Sequence, residues 1–301
     1  MAVDFGYPVN MLFFHATGGR LGNQLFQAAV IEHRRKPRER VITMQMTEAK
    51  AFLCRLRRWS DFSNPFLVNV ADHIIARFVI WPLIRTRVIS SMVELASGVH
   101  ETRGILPFTY FRGYFQAPKY VMPTPISREW IRRQFRESAA NRVQCAEHRT
   151  PVFVHVRRGD YGRYYRVDGN RSALLPMGYY RAALRRVRAA VAAPHFFLMG
   201  DDPSWCEEQF KDLPYRTVSR GTPYEDLALM SLCAGGIISN SSFAWWGAQL
   251  CARTAPVIAP RFWFGWAKKE WLPKGMDESS LQFIEVVDDG AGAVDEREVQ
   301  E

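Results

Sequence analysis

Val152-Phe153-Val154-His155-Val156-Arg157-Arg158-Gly159-Asp160 runs from a short β-rich segment into two arginines, a glycine and an aspartate. A brief apolar run of this kind suits a strand buried in a parallel sheet. Two adjacent arginines at the end of such a strand are costly unless something anionic satisfies them. Adjacent strand residues point to opposite sides, so one arginine can face a crevice while the other pairs internally, with Asp160 as a candidate partner. A guanidinium aimed at a diphosphate would stabilise charge on a leaving group. A purely structural ion pair is the plainer alternative.

Outward from this run, apolar strands alternate with helical patterns. Downstream, 177–193 reads as a helix, 195–199 as a strand closed by Gly200-Asp201-Asp202-Pro203, and 204–210 as a short helix. Residues 215–219 follow as a strand, 224–234 as a helix, 236–239 as a strand, 243–252 as a helix and 256–259 as a strand. Upstream, 11–15 is an apolar run ending at Gly18-Gly19, and a helix opens at Arg20-Leu21-Gly22-Asn23. Residues 41–46 and 110–116 suit strands, and 127–142 suits a helix with Ser127 as its N-cap. The stretch 50–97, with arginines and aromatics interleaved, has no clear period and room for one or two helices. Strand–helix alternation on both sides predicts two doubly wound, parallel α/β domains, with ligands at the carboxyl ends of the strands. The expected domains are 1–147 and 148–288, followed by an acidic, Gly/Ala-rich tail, 289–301, expected to be disordered.

A chain of 301 residues is long enough for two such cores. Its net charge of +10 is uneven: residues 285–301 carry −6, leaving +16 on the remainder. Arginine supplies 33 of the 40 basic side chains, which suits phosphate or carboxylate partners, although biased codon usage has the same signature. The five cysteines, Cys54, Cys145, Cys206, Cys233 and Cys251, are widely spaced and signal neither a disulfide framework nor a zinc site, which fits a reducing compartment. No secretory leader is read at the N-terminus, and no uninterrupted apolar run reaches membrane-spanning length. The nearest approach, 74–84, is broken by Arg77 and Pro82 and flanked by Arg85 and Arg87. It is expected to be a buried or groove-lining helix, with a peripheral position on a membrane surface as the alternative.

Three further segments carry chemistry. In Ser239-Asn240-Ser241-Ser242-Phe243-Ala244-Trp245-Trp246-Gly247 a strand gives way to hydroxyls and a helix start, which can hold phosphate or be a simple N-cap. Gly18-Gly19-Arg20-Leu21-Gly22 permits close backbone approach but lacks the dinucleotide-binding spacing. Asp201 and Asp202 suit helix capping better than a divalent metal.

Together these segments resemble the α-1,2-fucosyltransferases of glycosyltransferase family 11. The resemblance rests on Gly18-Gly19-Arg20-Leu21-Gly22-Asn23-Gln24-Leu25-Phe26-Gln27 and on His155 through Tyr161. It also rests on Asp226-Leu227-Ala228-Leu229-Met230-Ser231 leading into 239–247, and on Gly200-Asp201-Asp202 before Trp205-Cys206. It implies a GT-B fold, two Rossmann-like domains facing a central cleft, with the acceptor mainly on the first and GDP-fucose on the second. It implies inverting, metal-independent transfer of fucose to the 2-hydroxyl of a galactose-terminated glycan, with no cofactor. Arg157 matches the arginine that holds the β-phosphate, His155 would sit near ribose or phosphates, and Asp226 matches the acidic position that reads guanine. Ser241, Ser242 and Phe243 would line the diphosphate and base pocket, and Gly22 and Asn23 would approach the phosphates from the first domain. Asp160 is the candidate general base, or else orients Arg158. The expected location is cytoplasmic, with a peripheral position at the inner membrane face as the alternative.

Competing readings predict different partners. A nucleic-acid-binding protein would exploit the basic body, but the arginines are dispersed and no nucleic-acid module is present, so no nucleic-acid partner is expected. A nicotinamide-dependent oxidoreductase lacks its glycine fingerprint. A fucosyltransferase of another linkage, or a non-catalytic sugar-binding relative, stays open. Oligomeric state is not legible.

Overall fold

The computed structural model describes residues 11–15, 19–36, 39–95, 97–163, 166–168, 171–277 and 279–287. Gly18 and the expected disordered tail lie outside them. The chain divides into Met1–Trp130 and Ile131–Glu301. The expected boundary at residue 147 falls later because the Arg133–Val143 helix packs on the second unit. There the Phe135 and Tyr224 rings are 5.3 Å apart and Ser138 donates to Glu225 at 3.1 Å. The helix expected over 127–142 is also broken. A 3-10 turn, Arg128–Trp130, precedes it, Arg132 is the N-cap, and the Ser127 hydroxyl donates to Glu129 rather than capping. Burial of Trp130 and Ile131 fixes the break.

In the second unit β7 (Thr150–Val156), β10 (Pro194–Gly200), β11 (Arg216–Val218), β12 (Gly235–Ile237), β13 (Val257–Pro260) and β14 (Gln282–Ile284) form one sheet in the order β11-β10-β7-β12-β13-β14. Every pairing is parallel. Renumbered from β7, the order is 3-2-1-4-5-6, that of a dinucleotide-binding Rossmann sheet. The strands read as continuous apolar runs because helices cover both faces. One such cover, Met177–Ala190, buries Tyr179, Tyr180, Ala183, Leu184 and Val187 at helical spacing. The numbering gap is a small antiparallel pair, β8 (Arg166–Asp168) with β9 (Arg171–Ser172), outside the main sheet.

The first unit has a six-stranded sheet ordered β3-β2-β1-β6-β4-β5. Its strands are β1 (Met11–His15), β2 (Arg40–Met44), β3 (Ser60–Phe62), β4 (Ser90–Leu95), β5 (Gly98–Thr102) and β6 (Phe108–Arg112). Only the β4–β5 pair is antiparallel. Two Rossmann-like α/β units in series are thus present, the composition of the GT-B class. The sequence reading missed β3, β4, β5, β8, β9 and β14; all but β4 and β5 are four residues or shorter, and β3 and β5 are largely polar.

Candidate active site

In a doubly wound sheet the crevice opens where the strand order reverses, here between the carboxyl ends of β7 and β12. The chain leaves β7 as Arg157-Arg158-Gly159-Asp160 and leaves β12 through Ser239-Asn240-Ser241. Side chains tie the two exits together. His155 Nδ1 and Ser239 Oγ are hydrogen-bonded at 2.8 Å, both buried. Tyr161 Oη donates to the Asn240 carbonyl at 3.1 Å, and Tyr179 Oη donates to the Ile238 carbonyl at 2.6 Å. The His155 and Phe243 rings lie 5.4 Å apart. His155, Arg157, Arg158, Asp160, Ser241, Ser242 and Phe243 are therefore brought to one end of one sheet.

Arg157 is clamped between two carboxylates. Its Nη2 lies 2.7 Å from Asp160 Oδ1 and its Nη1 lies 3.1 Å from Asp201 Oδ2. Asp160 follows three residues on, at the start of the Gly159–Arg163 helix, and so pairs with Arg157 rather than Arg158. Asp201 comes from the neighbouring strand: the register pairs Gly200 with Val156, so the residues just beyond both strand ends are adjacent. Its other oxygen accepts the Arg158 amide at 2.8 Å. Gly159 belongs here sterically, since a Cβ would come within 2.7 Å of Asp201 Oδ2. Arg158 turns its guanidinium over the Trp205 ring, 4.3 Å from the centroid, a cation–π contact.

The aspartate pair thus divides its labour. Asp202 accepts the Trp205 amide at 3.0 Å and caps the Pro203–Gln209 helix, as expected. Asp201 is not a cap but holds the arginine turn. The sequence signal for this was its place one residue past the strand beside β7. Among the described residues no group of three or more His, Cys, Asp or Glu side chains is arranged to hold a metal.

The Ser242–Leu250 helix starts at Ser241, whose hydroxyl makes no capping bond. The first-turn amides of such a helix have no carbonyl one turn back and carry partial positive charge. Burial, reinforced by the Arg157 guanidinium, lowers the His155 pKa to about 3, so its imidazole is neutral near pH 7.

Asp226 sits in the first turns of the Pro223–Met230 helix, which opens with a capping box between Thr222 and Glu225. Its Oδ1 accepts from Arg142 Nη2 at 3.1 Å and from the Ser219 hydroxyl, which also accepts from Arg142. Burial pushes this carboxyl up, and Ser219 and Arg142 pull against the shift. Arg142 and Ser219 were not singled out in the sequence. They are separated from Asp226 by 84 and 7 residues, and no local pattern links them.

Gly22 and Asn23 belong to the first unit. Gly22 is buried in the first turn of the Leu21–Arg34 helix, and the Asn23 amide donates to the Arg20 carbonyl at 2.9 Å. Asn23 Oδ1 accepts from Gln116 Nε2 at 2.6 Å. The preceding Gly19 has φ +111°, a conformation that favours glycine, with Asn23 and Tyr114 packed where a Cβ would stand. At this helix start the Leu21 amide already donates to Glu48 Oε2 at 2.6 Å.

The sequence model of glycosyl transferase family 11 matches residues 99–273, more than half of the chain and all of the β7–β12 site. Gly22 and Asn23 fall outside that match. Among similar proteins is the O-antigen biosynthesis glycosyltransferase WbnK of Escherichia coli, 33% identical over 136 residues, 44% of this chain and 44% of the relative. Another is galactoside 2-alpha-L-fucosyltransferase SEC1 of Bos taurus, 32% identical over 134 residues, 41% of this chain and 36% of the relative. A third is an alpha-1,2-colitosyltransferase of Escherichia coli, 35% identical over 124 residues, 38% of this chain and 41% of the relative. The alignments thus span less than half the length of each of these relatives.

Proposed function

The chain belongs to glycosyl transferase family 11, and from that premise we propose that it is an α-1,2-fucosyltransferase. It transfers L-fucose from GDP-β-L-fucose to the 2-hydroxyl of a galactose-terminated glycan, with inversion and without a metal. The observation that carries this reading is the convergence of a clamped arginine and an uncapped helix start at the switch point of a Rossmann sheet. Those groups suit a nucleoside diphosphate. The name of the Bos taurus relative supports the sugar and the linkage.

In this reading the acceptor oxygen bonds to C1 of fucose as the bond from C1 to the β-phosphate oxygen breaks. GDP departs with the electron pair. Arg157 and the start of the Ser242–Leu250 helix offset the charge that builds on it, an electrostatic contribution that is usually the largest. Phosphate arriving at Arg157 competes with Asp160 for the guanidinium, while Asp201, also held by the Arg158 amide, keeps the arginine aimed. Asp160, so released, takes the proton of the attacking hydroxyl. The neutral His155 with Ser239 lines the ribose side. Ser241, Ser242 and Phe243 line the diphosphate and base, and Asp226 reads guanine through its second oxygen.

A donor screen tests the reading: GDP-fucose, GDP-colitose, GDP-mannose and UDP-galactose, each with lactose as acceptor and with EDTA present. GDP-colitose belongs in the screen because the name of one relative specifies colitosyl transfer. The expected result is GDP release and a new trisaccharide with GDP-fucose, unchanged by EDTA. Transfer only from UDP-galactose, or a strict Mg²⁺ requirement, contradicts it.

A further inference from the structure

The Phe66–Arg85 helix of the first unit is 20 residues long and has two faces of opposite kind. On one, Val68 and Ala71 pack with Met44, and Ile80 and Ile84 pack with Ile89, Val93 and Tyr110. Its middle, Ala71–Ile80, is wound as a π-helix, whose wider turn keeps Ala71, Ala76 and Ile80 inward at spacings of five and four. The other face is apolar and uncovered: Phe66 is 73% exposed and Phe78 68%, with Leu67, Ile74, Ile75 and Val79 also exposed. Of the sequence expectation of a buried or groove-lining helix, full burial is corrected: only one face is packed. Periodic apolar residues do not show which face packs, and here the unit covers only one side. A contiguous apolar surface of this kind marks an interaction site rather than chance exposure.

The rim of this face is basic. Arg77 lies on it, its guanidinium 5.7 Å from the Phe78 ring centroid. At the C-terminal end Arg85 and Arg87 are exposed, and the Arg87 and Val88 carbonyls accept the Ile105 and Leu106 amides at 3.1 and 2.9 Å. That pairing sets exposed Arg103, Ile105 and Leu106 beside the helix end. Apolar side chains with arginines beside them and at one end, on a chain of net charge +10, complement a surface that is apolar within and anionic at its edge.

We infer that this face docks, with the helix lying in the interface plane, onto an anionic lipid bilayer. The helix is long enough to cross a membrane, but Val68, Ala71, Ile80 and Ile84 belong to the packing of the first unit, and crossing would strip them from it. The apolar face enters the acyl boundary and the arginines meet lipid phosphates. This inference does not depend on the donor proposed above.

Sedimentation of the full chain with vesicles tests it, using phosphatidylcholine alone or in equal parts with phosphatidylglycerol. The chain is expected to sediment with the mixed vesicles, more weakly with phosphatidylcholine, and less at high salt. The double variant Ile75→Ser/Phe78→Ser is expected to lose binding by about tenfold or more. Arg85→Gln/Arg103→Gln is expected to lose about fivefold per arginine. All four side chains are exposed, so thermal melts should match the wild type, and GDP binding should be unchanged. Wild-type protein left in the supernatant with mixed vesicles overturns the inference, as does sedimentation of Ile75→Ser/Phe78→Ser equal to wild type. A dimer in analytical ultracentrifugation that this double variant dissolves also overturns it, by making a second copy the occupant.

Discussion

Two helix starts follow glycine- or hydroxyl-rich turns in this molecule, and they treat negative charge in opposite ways. In the first unit the Leu21–Arg34 helix begins against Glu48, whose carboxylate takes the Leu21 amide. In the second, the Ser242–Leu250 helix begins at Ser241 without a side-chain cap, on the same sheet end as Arg157. Helix N-termini attract anions. One is already capped by the chain's own carboxylate, whereas the other has no side-chain cap from Ser241 and, in the proposed function, faces the donor's diphosphate. A glycine turn before a helix is therefore not by itself a phosphate site. The difference on view is whether a side chain of the fold already caps the helix start.

The largest expected effect breaks the second site. Arg157→Ala should lower kcat by about 10²–10³-fold, the usual loss for one oxyanion-type donor, measured by GDP release under saturating donor. Survival of most activity would return Arg157 to a structural ion pair. Next, Asp160→Asn and Asp201→Asn separate the two arms of the clamp. Asp160→Asn should reduce kcat by about 10²-fold with little change in donor KM. Asp201→Asn should chiefly raise donor KM, because it loosens the arginine without touching the acceptor. Identical kinetic signatures would mean that neither aspartate is the base.

A third prediction concerns stability. The folded pKa of His155 is lowered to about 3 from 6.5, so between those values the unfolded chain binds more protons than the native one. Stability should therefore fall as pH drops through 6.5. By pH 5 the loss should be about 2 kcal/mol from this residue. Urea unfolding at pH 5 and pH 8 should show a smaller difference for His155→Asn than for wild type, and an equal difference would contradict the assignment. The smallest effect sharpens the first-unit side of the comparison. Glu48→Gln should cost about 1 kcal/mol of stability, as loss of a helix-terminal charge does, while leaving donor KM within about twofold.

Much of the second unit was legible because strands buried on both faces read as apolar runs between punctuating turns. The readings 152–156 and 195–199 fell on strands, 256–259 fell on one to within a residue, and the helices were placed to within a few residues. The first unit was less so. The π-wound Ala71–Ile80 departs from the 3.6-residue period on which helix reading relies, and β5, Gly-Val-His-Glu-Thr, is a mostly polar edge strand. The gathering of His155, Arg157 and Ser241 through Phe243 followed from the strand-end rule. The pairing of Arg157 with Asp201, just past β10, did not, because a carboxylate at a strand end is assigned to cap or clamp only by inter-strand register. Asp226 shows the same limit. Its ties to Arg142 and Ser219 join three separate elements and leave no trace in local spacing.

Isothermal titration of guanosine diphosphate into the wild-type chain and into Arg157→Ala tests the convergence of arginine and helix start most directly. Heat from one binding site is expected in the wild type, and an affinity at least about tenfold weaker in the variant, the loss of a charge-assisted hydrogen bond. No heat with the wild type, or equal affinity for the two proteins, would contradict it.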